Sequence, residues 1–415
     1  MTAAEVIVIG AGAAGIGAAR RLRSAGIDVT ILEADSRPGG RCITDTVSLG
    51  QPFDRGGSWI HSAAVNPLAP LAQEYGFTII EDQPKAVRAV AIGDRRLDTG
   101  ARDAYALAME ALLGAEPPAT DDPPMANFVP DSPWGTYVRH VIAALSGVDA
   151  DACSSTDFHA FIEAPGEWLL AEGQGSLLAR LGQGLPVRLD TPVTGIDYHS
   201  DPIRVQTPDG VLEAARVIVT VSTGALAAGH IHFTPELPSD LIDAIHGLPL
   251  GLLNKIGLAV RPDSVLADPD TVMAWHPSTD AAVMYRAGFT RRPVVCAFVG
   301  GRFADALEQD GPGAATAICR EGLAALYGHD VLRDIERTTE TAWRSHPFAL
   351  GAYSTALPGA AGARSVLARG IDQRVLLAGE AVHDTLFSTV GGAWDSGIRA
   401  ADRLIAGLGV RTVAS

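Results

Sequence analysis

The chain has 415 residues, of which 47% are hydrophobic and 19% charged, and its formal net charge is -16. That length exceeds what one hydrophobic core usually serves, so two joined domains are expected, and the apolar content excludes a disordered polymer. The negative charge opposes phosphate backbones and anionic lipid, which excludes nucleic acid and membrane as expected partners.

The chain enters an apolar strand, Val6-Ile7-Val8-Ile9, with no basic leader before it, so the expected location is cytoplasmic. Four β-branched or apolar residues in a row suit a strand buried on both faces of a parallel sheet. Gly10-Ala11-Gly12-Ala13-Ala14-Gly15 follows at once, then helical periodicity over residues 16–25 closed by Gly26, then a second strand, Val29-Thr30-Ile31-Leu32, that ends in Glu33. Strand, glycine loop, helix and acidic strand end are the parts of a dinucleotide site: Gly10 permits the turn, Gly12 lets backbone approach a pyrophosphate, and Gly15 lets helix pack on strand, with Ala14 between them also expected at the cofactor. The helix N-terminus offers N–H groups and a positive dipole end to phosphate, and Glu33 would accept from the adenosine ribose hydroxyls. A carboxylate there also argues against a 2′-phosphate. Arg37-Pro38-Gly39-Gly40-Arg41 comes next, where paired glycines allow a second close approach and Arg41 supplies a permanent cation for phosphate or a flavin edge.

With this block the sequence resembles the FAD-containing amine oxidases, a family that includes monoamine oxidases, polyamine oxidases, histone lysine demethylases and L-amino-acid oxidases. The resemblance implies FAD rather than NAD. It also implies an α/β fold with a Rossmann-like, glutathione-reductase-like FAD-binding domain, expected from residues 1–78, 167–245 and 345–415. An interleaved α+β substrate-binding domain would take residues 79–166 and 246–344.

Further blocks of the family follow in order. Asp54-Arg55-Gly56-Gly57-Ser58-Trp59-Ile60-His61 looks most like polyamine oxidases. By resemblance Gly57, Ser58 and Trp59 meet FAD and His61 lies beside substrate, though a structural histidine is an equal reading. Residues 105–113 have a helical pattern, and the Pro-rich stretch 116–133 reads as a surface loop. Past Leu189-Asp190-Thr191-Pro192-Val193, residues 203–207 and 217–221 flank the turn Pro208-Asp209-Gly210 and read as a hairpin feeding a buried strand. The family holds adenine by a backbone group near Val193. Residues 217–235 are uncharged, but Ser222, Thr223, His230 and His232 argue for strand plus loop rather than a membrane span.

In Leu252-Leu253-Asn254-Lys255-Ile256-Gly257-Leu258 a single Lys interrupts an apolar strand, and a buried ammonium needs partners. In the family this Lys stands over the flavin, bonded through water to N(5), with a lowered pKa expected from desolvation. The C-terminal region carries Tyr353, then Val375-Leu376-Leu377-Ala378-Gly379-Glu380, whose carboxylate by resemblance faces the ribityl or pyrophosphate. Thr389-Val390-Gly391-Gly392 then opens a closing helix over residues 394–404 whose dipole would stabilise reduced flavin.

Departures from the family pattern narrow the reading. Ala352 precedes Tyr353 where covalently flavinylated monoamine oxidases carry Cys, so FAD is expected to be non-covalent. Tyr353 supplies one wall of the aromatic sandwich and Thr389 stands at the other, as in polyamine oxidases. The histone demethylases' helical insertion and N-terminal module are not expected, nor is chromatin work. L-Amino-acid oxidases need an Arg for the substrate carboxylate, and Arg88 and Arg286 stay open for that role. Glu163, Glu167 and Glu172 are candidates to pair with distal ammonium groups, with at least two of them expected to be solvated surface carboxylates. The four cysteines, Cys42, Cys153, Cys296 and Cys319, lack zinc spacing and are expected to be reduced, with no metal site.

The implied reaction docks a neutral amine against Tyr353 with its α-hydrogen aimed at N(5), Lys255, His61 and Thr389 completing the catalytic set. Hydride transfer gives an iminium that water hydrolyses to aldehyde, and dioxygen reoxidises the flavin to give peroxide. A flavin dehydrogenase or desaturase acting on a non-amine, and a flavin-binding protein without activity, stay as alternatives. Partners are expected to be a small amine and O2, with the protein a monomer or homodimer.

Overall fold

A computed structural model describes residues 4–82, 87–116, 121–269 and 271–407. Val6, Ile7, Val8 and Ile9 are all buried, and each such side chain withdrawn from water contributes roughly 1.5–3 kcal/mol. Their strand, Ala4–Ile9, runs parallel between Val29–Leu32 and Gly210–Val219. Val187–Arg188 adds a parallel strand outside Val29–Leu32, and Val375–Leu377 lies parallel to the second half of Gly210–Val219. The first half of that long strand pairs antiparallel with Ile203–Thr207, the expected hairpin.

The pleat sends Val6 and Val8 to one face, against helices Ala13–Ser24 and Val390–Gly407, and Ile7 and Ile9 to the other, with Val217 and Val219. The two helices touch backbone to backbone: a methyl added at Gly397 would lie 2.0 Å from the Ala14 carbonyl oxygen.

A second sheet runs in the order Ile335–Glu340, Leu253–Val260, Val294–Gly300, Val283–Arg286, Val272–His276, Val87–Ile92, Arg95–Arg96. Every pair in it is antiparallel except Val272–His276 with Val87–Ile92. One face carries Ile256, Ala297 and Tyr285 into a core covered by helices Gly301–Gln309 and Ala314–Tyr327. The other presents Lys255, Phe298 and Met284, which the register sets in one row across three strands. A small third sheet, Trp59–Ile60 with Trp168–Leu170 and Ile79–Glu81, bridges segments far apart in sequence. The chain is thus a mixed α/β protein.

Several local expectations shift. The first helix starts at Ala13, three residues earlier than its apolar spacing suggested, because Gly12 is its N-cap. The 105–113 pattern is the end of Thr99–Leu113, started by Asp98, whose carboxylate accepts from the Ala101 N–H. Residues 217–235 are not strand plus loop alone: Ser222 caps a short helix, Thr223–Ala227, and His232–Thr234 is a further strand. The 116–133 stretch is only partly a surface loop. Residues 117–120 lie outside the described residues, but Met125 is fully buried, and Asp122 takes bonds from Ser154, Thr156, Gly359 and Ala361. Among the described residues no helix is long and apolar enough to cross a membrane, and the four cysteines are buried and unpaired.

Candidate active site

A cavity of about 920 Å³ runs from the glycine loop, between the two large sheets, to the small bridging sheet. Its floor is built as three glycines with three different constraints. Gly10 has φ +105°, open to glycine at little cost, and a methyl there would meet the Thr220 hydroxyl at 2.6 Å. At Gly15 a methyl would lie 1.9 Å from the Gly10 carbonyl oxygen, so this residue packs helix on strand and does not line the cavity. At Gly12 an added methyl would meet no atom within 4 Å. Gly12 faces the cavity, and no side chain caps the helix that starts after it, which leaves a positive dipole end for an anion.

Glu33 is 7% exposed. One of its oxygens accepts from the Ala11 N–H at 2.6 Å and the other from the Asp35 N–H at 2.9 Å. Burial raises its pKa against the lowering effect of those bonds, and each oxygen keeps a lone pair for the cavity. Ala14 and Val193 also line this end.

Midway, Arg41 donates to the Ala352 carbonyl at 2.8 Å and to Glu380 at 2.9 Å. Glu380 also accepts from the Ser354 hydroxyl, the Ser354 N–H and the Ser388 N–H. Burial pushes its carboxyl up, but the Arg41 guanidinium, the Ser354 hydroxyl and Arg364 outweigh that and hold it below the ordinary range. A native pKa below the unfolded value of about 4.3 contributes stability present above that value and lost as pH falls through the native one. Glu380→Gln is therefore expected to lower the melting temperature most near neutral pH, the gap to the parent closing below about pH 4. Melts across that range check it; a gap independent of pH would remove ionisation of Glu380 from the account.

At the far end Lys255, 5% exposed, donates to the Gly56 carbonyl and to the Ser58 hydroxyl at 2.5 Å, and lies 5.4 Å above the Trp59 ring. Burial, only partly opposed by the Asp54 carboxylate and nearby thiols, lowers its pKa. Asn254, on the opposite face, takes the Trp343 N–H and binds Glu308, which locks the strand that aims Lys255 inward. Gly57 sits under Val390, whose Cγ2 a methyl would meet at 2.4 Å. Tyr353 lines the cavity and its hydroxyl donates to the Leu145 carbonyl; burial raises its pKa. Thr389 lines it too, but its hydroxyl is spent on the closing helix, donating to Leu386 and accepting from the Gly392 N–H.

The bridging sheet brings His61 and Glu167 together, since Ile60 pairs with Trp168. His61 Nδ1 lies 2.6 Å from Glu167, whose other oxygen takes the Ser62 N–H. Burial pushes Glu167 up, but the His61 bond and charge outweigh it and hold it below the ordinary range. Glu163 stands at the same mouth, whereas Glu172 does not: it turns out to bond Thr78. Arg88 is exposed and also absent from the lining, and Arg286 lines the cavity paired with Asp82 at 2.6 Å. Sequence reasoning missed Asp54, which holds Gln174 and Gly175 at a helix start, and Asp157, Arg364, Phe161 and Phe387. Asp54 opens the block that ends in His61 but drew no role there, and no motif or spacing marked the other four. Among the described residues no cluster of three metal-ligating side chains occurs.

An open glycine floor, an uncapped helix start, a buried carboxylate at the end of the second strand and a broad far chamber together fit a dinucleotide with a large ring system. Independent comparisons agree. A family model described as flavin containing amine oxidoreductase matches residues 13–146 and 127–405. Polyamine oxidase 4 of Oryza sativa subsp. japonica is 30% identical over 96% of this chain and 88% of its own length. Human lysine-specific histone demethylase 2 is 28% identical over 97% of this chain and 53% of its own, and protein FLOWERING LOCUS D of Arabidopsis thaliana 29% over 96% and 55%. The chain thus spans about half the length of these last two.

Proposed function

The chain belongs to the flavin containing amine oxidoreductases, whose cofactor is FAD, and from that premise we propose that it oxidises the carbon beside an amine nitrogen, with polyamine-like amines favoured. One observation carries the reading: Glu33, Lys255, Tyr353 and the His61–Glu167 pair, from five distant segments, line one continuous cavity. We propose with it a Rossmann-like FAD domain of residues 1–78, 167–245 and 345–415 and a substrate domain of residues 79–166 and 246–344.

FAD would be held non-covalently, because Ala352 offers no nucleophile, and would supply the hydride acceptor, with dioxygen as terminal oxidant. The protein's residues supply position and electrostatics. Gly10, Gly12, Ala14, Glu33, Arg41, Gly57, Ser58, Trp59, Val193, Glu380, Thr389 and Val390 form the cofactor cradle, with Gly15 behind it packing helix on strand. Trp59 and Phe298 exclude water around Lys255, whose depressed pKa suits it to hand on a proton or hold a water at the reacting carbon. Tyr353 gives the amine a flat wall. Thr389 acts by seating the start of the closing helix, so that its dipole faces the reacting end.

At the mouth, Glu167 stays ionised at neutral pH and Glu163 lines the same cavity, which favours a second positive charge on the substrate. Arg286 is already paired with Asp82, so an amino-acid carboxylate would have to displace that ion pair. Glu167 is 34% exposed at its side chain, so solvent screening limits its worth: Glu167→Gln is expected to raise KM for spermidine about two- to fivefold and to leave KM for benzylamine unchanged. Equal effects on both amines would show that the mouth does not read charge.

The whole reading is tested by anaerobic bleaching of the yellow protein with spermine, spermidine, N-acetylated polyamines, benzylamine and L-amino acids, then admission of air. Bleaching by polyamines with peroxide on reoxidation supports it. Bleaching by L-amino acids alone moves the assignment to an amino-acid oxidase, and no bleaching across the panel moves it to a dehydrogenase or desaturase.

A further inference from the structure

At the chamber wall lies a charge pair so far used only in the account of Glu380, to which Arg364 contributes. Arg364 and Asp157, 2% and 3% exposed, meet through two bonds of 2.6 and 2.8 Å. The remaining guanidinium N–H groups go to the Ser354 hydroxyl at 2.9 Å, the Ser354 carbonyl at 3.3 Å and the Ala381 carbonyl at 3.3 Å. All five N–H donors are committed in the plane, which only the rigid fork of Arg can do. That fixes the plane, and the Phe387 ring lies on it with its centroid 4.0 Å from Arg364 Cζ. Phe387 meets Phe161 edge to face at 5.6 Å, and Phe161 meets His61 at 6.3 Å. Both phenylalanines and Asp157 line the cavity, whereas Arg364 does not.

We infer that Arg364 is a positioning residue: clamped by Asp157 and Ser354, it seats the Phe387–Phe161 wall and so sets the girth of amine that the chamber accepts. This rests on reading the cavity as the amine site. A desolvated cation under an aromatic face is a strong seat for a ring, and a wall remote from the reacting carbon acts on binding more than on the chemical step. The same clamp joins residues 154–161 to residues 354–388, two segments that share no motif.

The test uses FAD-loaded parent, Arg364→Lys, and the double variant R364M/D157N, which removes both buried charges together and so avoids stranding one. Three readouts are taken: KM and limiting bleaching rate with n-butylamine and benzylamine, the Kd of benzamidine from its perturbation of the flavin spectrum, and crystal structures. In both variants the benzylamine-to-butylamine ratio of kcat/KM is expected to shift about tenfold and benzamidine binding to change by a similar factor, within what a desolvated cation–π seat supplies. The limiting rate with butylamine should move much less, and Phe387 should leave its seat against Phe161. An unmoved Phe387 in R364K, with the ratio unchanged, overturns the inference. Should no amine bleach the parent, the amine reading falls, while the position of Phe387 still decides the role of Arg364.

Discussion

Replacing Lys255 with Met is expected to slow reduction or reoxidation of the flavin by about 10²–10⁴-fold, the worth of a positioned proton-transfer group, while FAD stays bound. Lys255 reaches the chamber from the middle of a buried strand, in a row with Phe298 and Met284, so its carbon stem packs as an apolar residue and Met replaces it at similar volume. Stability should not suffer. Burial depresses the Lys255 pKa, so the native state binds this proton less readily than the unfolded chain, and protein stability is eroded as pH falls from the ordinary Lys value of about 10.4 through the depressed one. Lys255→Met removes that erosion, and its melting temperature at neutral pH should equal or exceed the parent's. Stopped-flow absorbance, anaerobic for reduction and with dioxygen for reoxidation, reads both half-reactions. Parent rates in both would take Lys255 out of the mechanism, and a loss of bound FAD would recast it as part of the cradle.

The second large effect separates two glycines three residues apart. Gly12→Val should cost the apoprotein no more than about 1 kcal/mol, the worth of a poorer N-cap, because Gly12 has extended backbone, φ -77°, and faces open cavity. FAD affinity should nevertheless fall at least about 100-fold, roughly 2.8 kcal/mol, since the new side chain fills the space that lets backbone approach the pyrophosphate. Gly15→Ala should do the reverse in order of cause. Its methyl would lie 1.9 Å from a backbone oxygen, so helix and strand must part, at a cost of about 1–3 kcal/mol or more in the apoprotein, with weaker FAD binding following from that. Melting of both apoproteins and quenching of FAD fluorescence on titration distinguish the two. Full FAD affinity in Gly12→Val would remove the glycine floor from the cofactor site.

The strand, glycine turn, helix and second strand at the start of the chain were legible because their signals are local. Gly10, Gly12 and Gly15 sit within six residues, the strands around them carry apolar residues buried on both faces, and Glu33 falls at the strand end where the helix returns. Turn, helix start and buried strand each depend on neighbours in the chain, so spacing alone conveys them. Lys255 was legible for a related reason: one ammonium in an apolar strand is costly wherever the strand goes, so its presence marks a partnered site before the partners are known.

The far chamber was decided by long-range pairing that no local pattern encodes. His61 meets Glu167 because Trp59–Ile60 pairs with Trp168–Leu170, more than a hundred residues away, and the same kind of placement turns Glu172 outward to Thr78 although it was a candidate alongside Glu167. Thr389 reads as a chamber wall in sequence, yet its hydroxyl is consumed by the helix it caps. Arg364 and Asp157 lie 207 positions apart and neither belongs to a motif. By itself the sequence determined which segments fold as strand, glycine turn and helix and which family chemistry they carry, because hydrophobic periodicity and backbone sterics act over a few residues. Only the tertiary structure decided which charges face the cavity and what clamps its wall, because a charge is stable in a protein interior only opposite a partner that the packing of distant elements delivers.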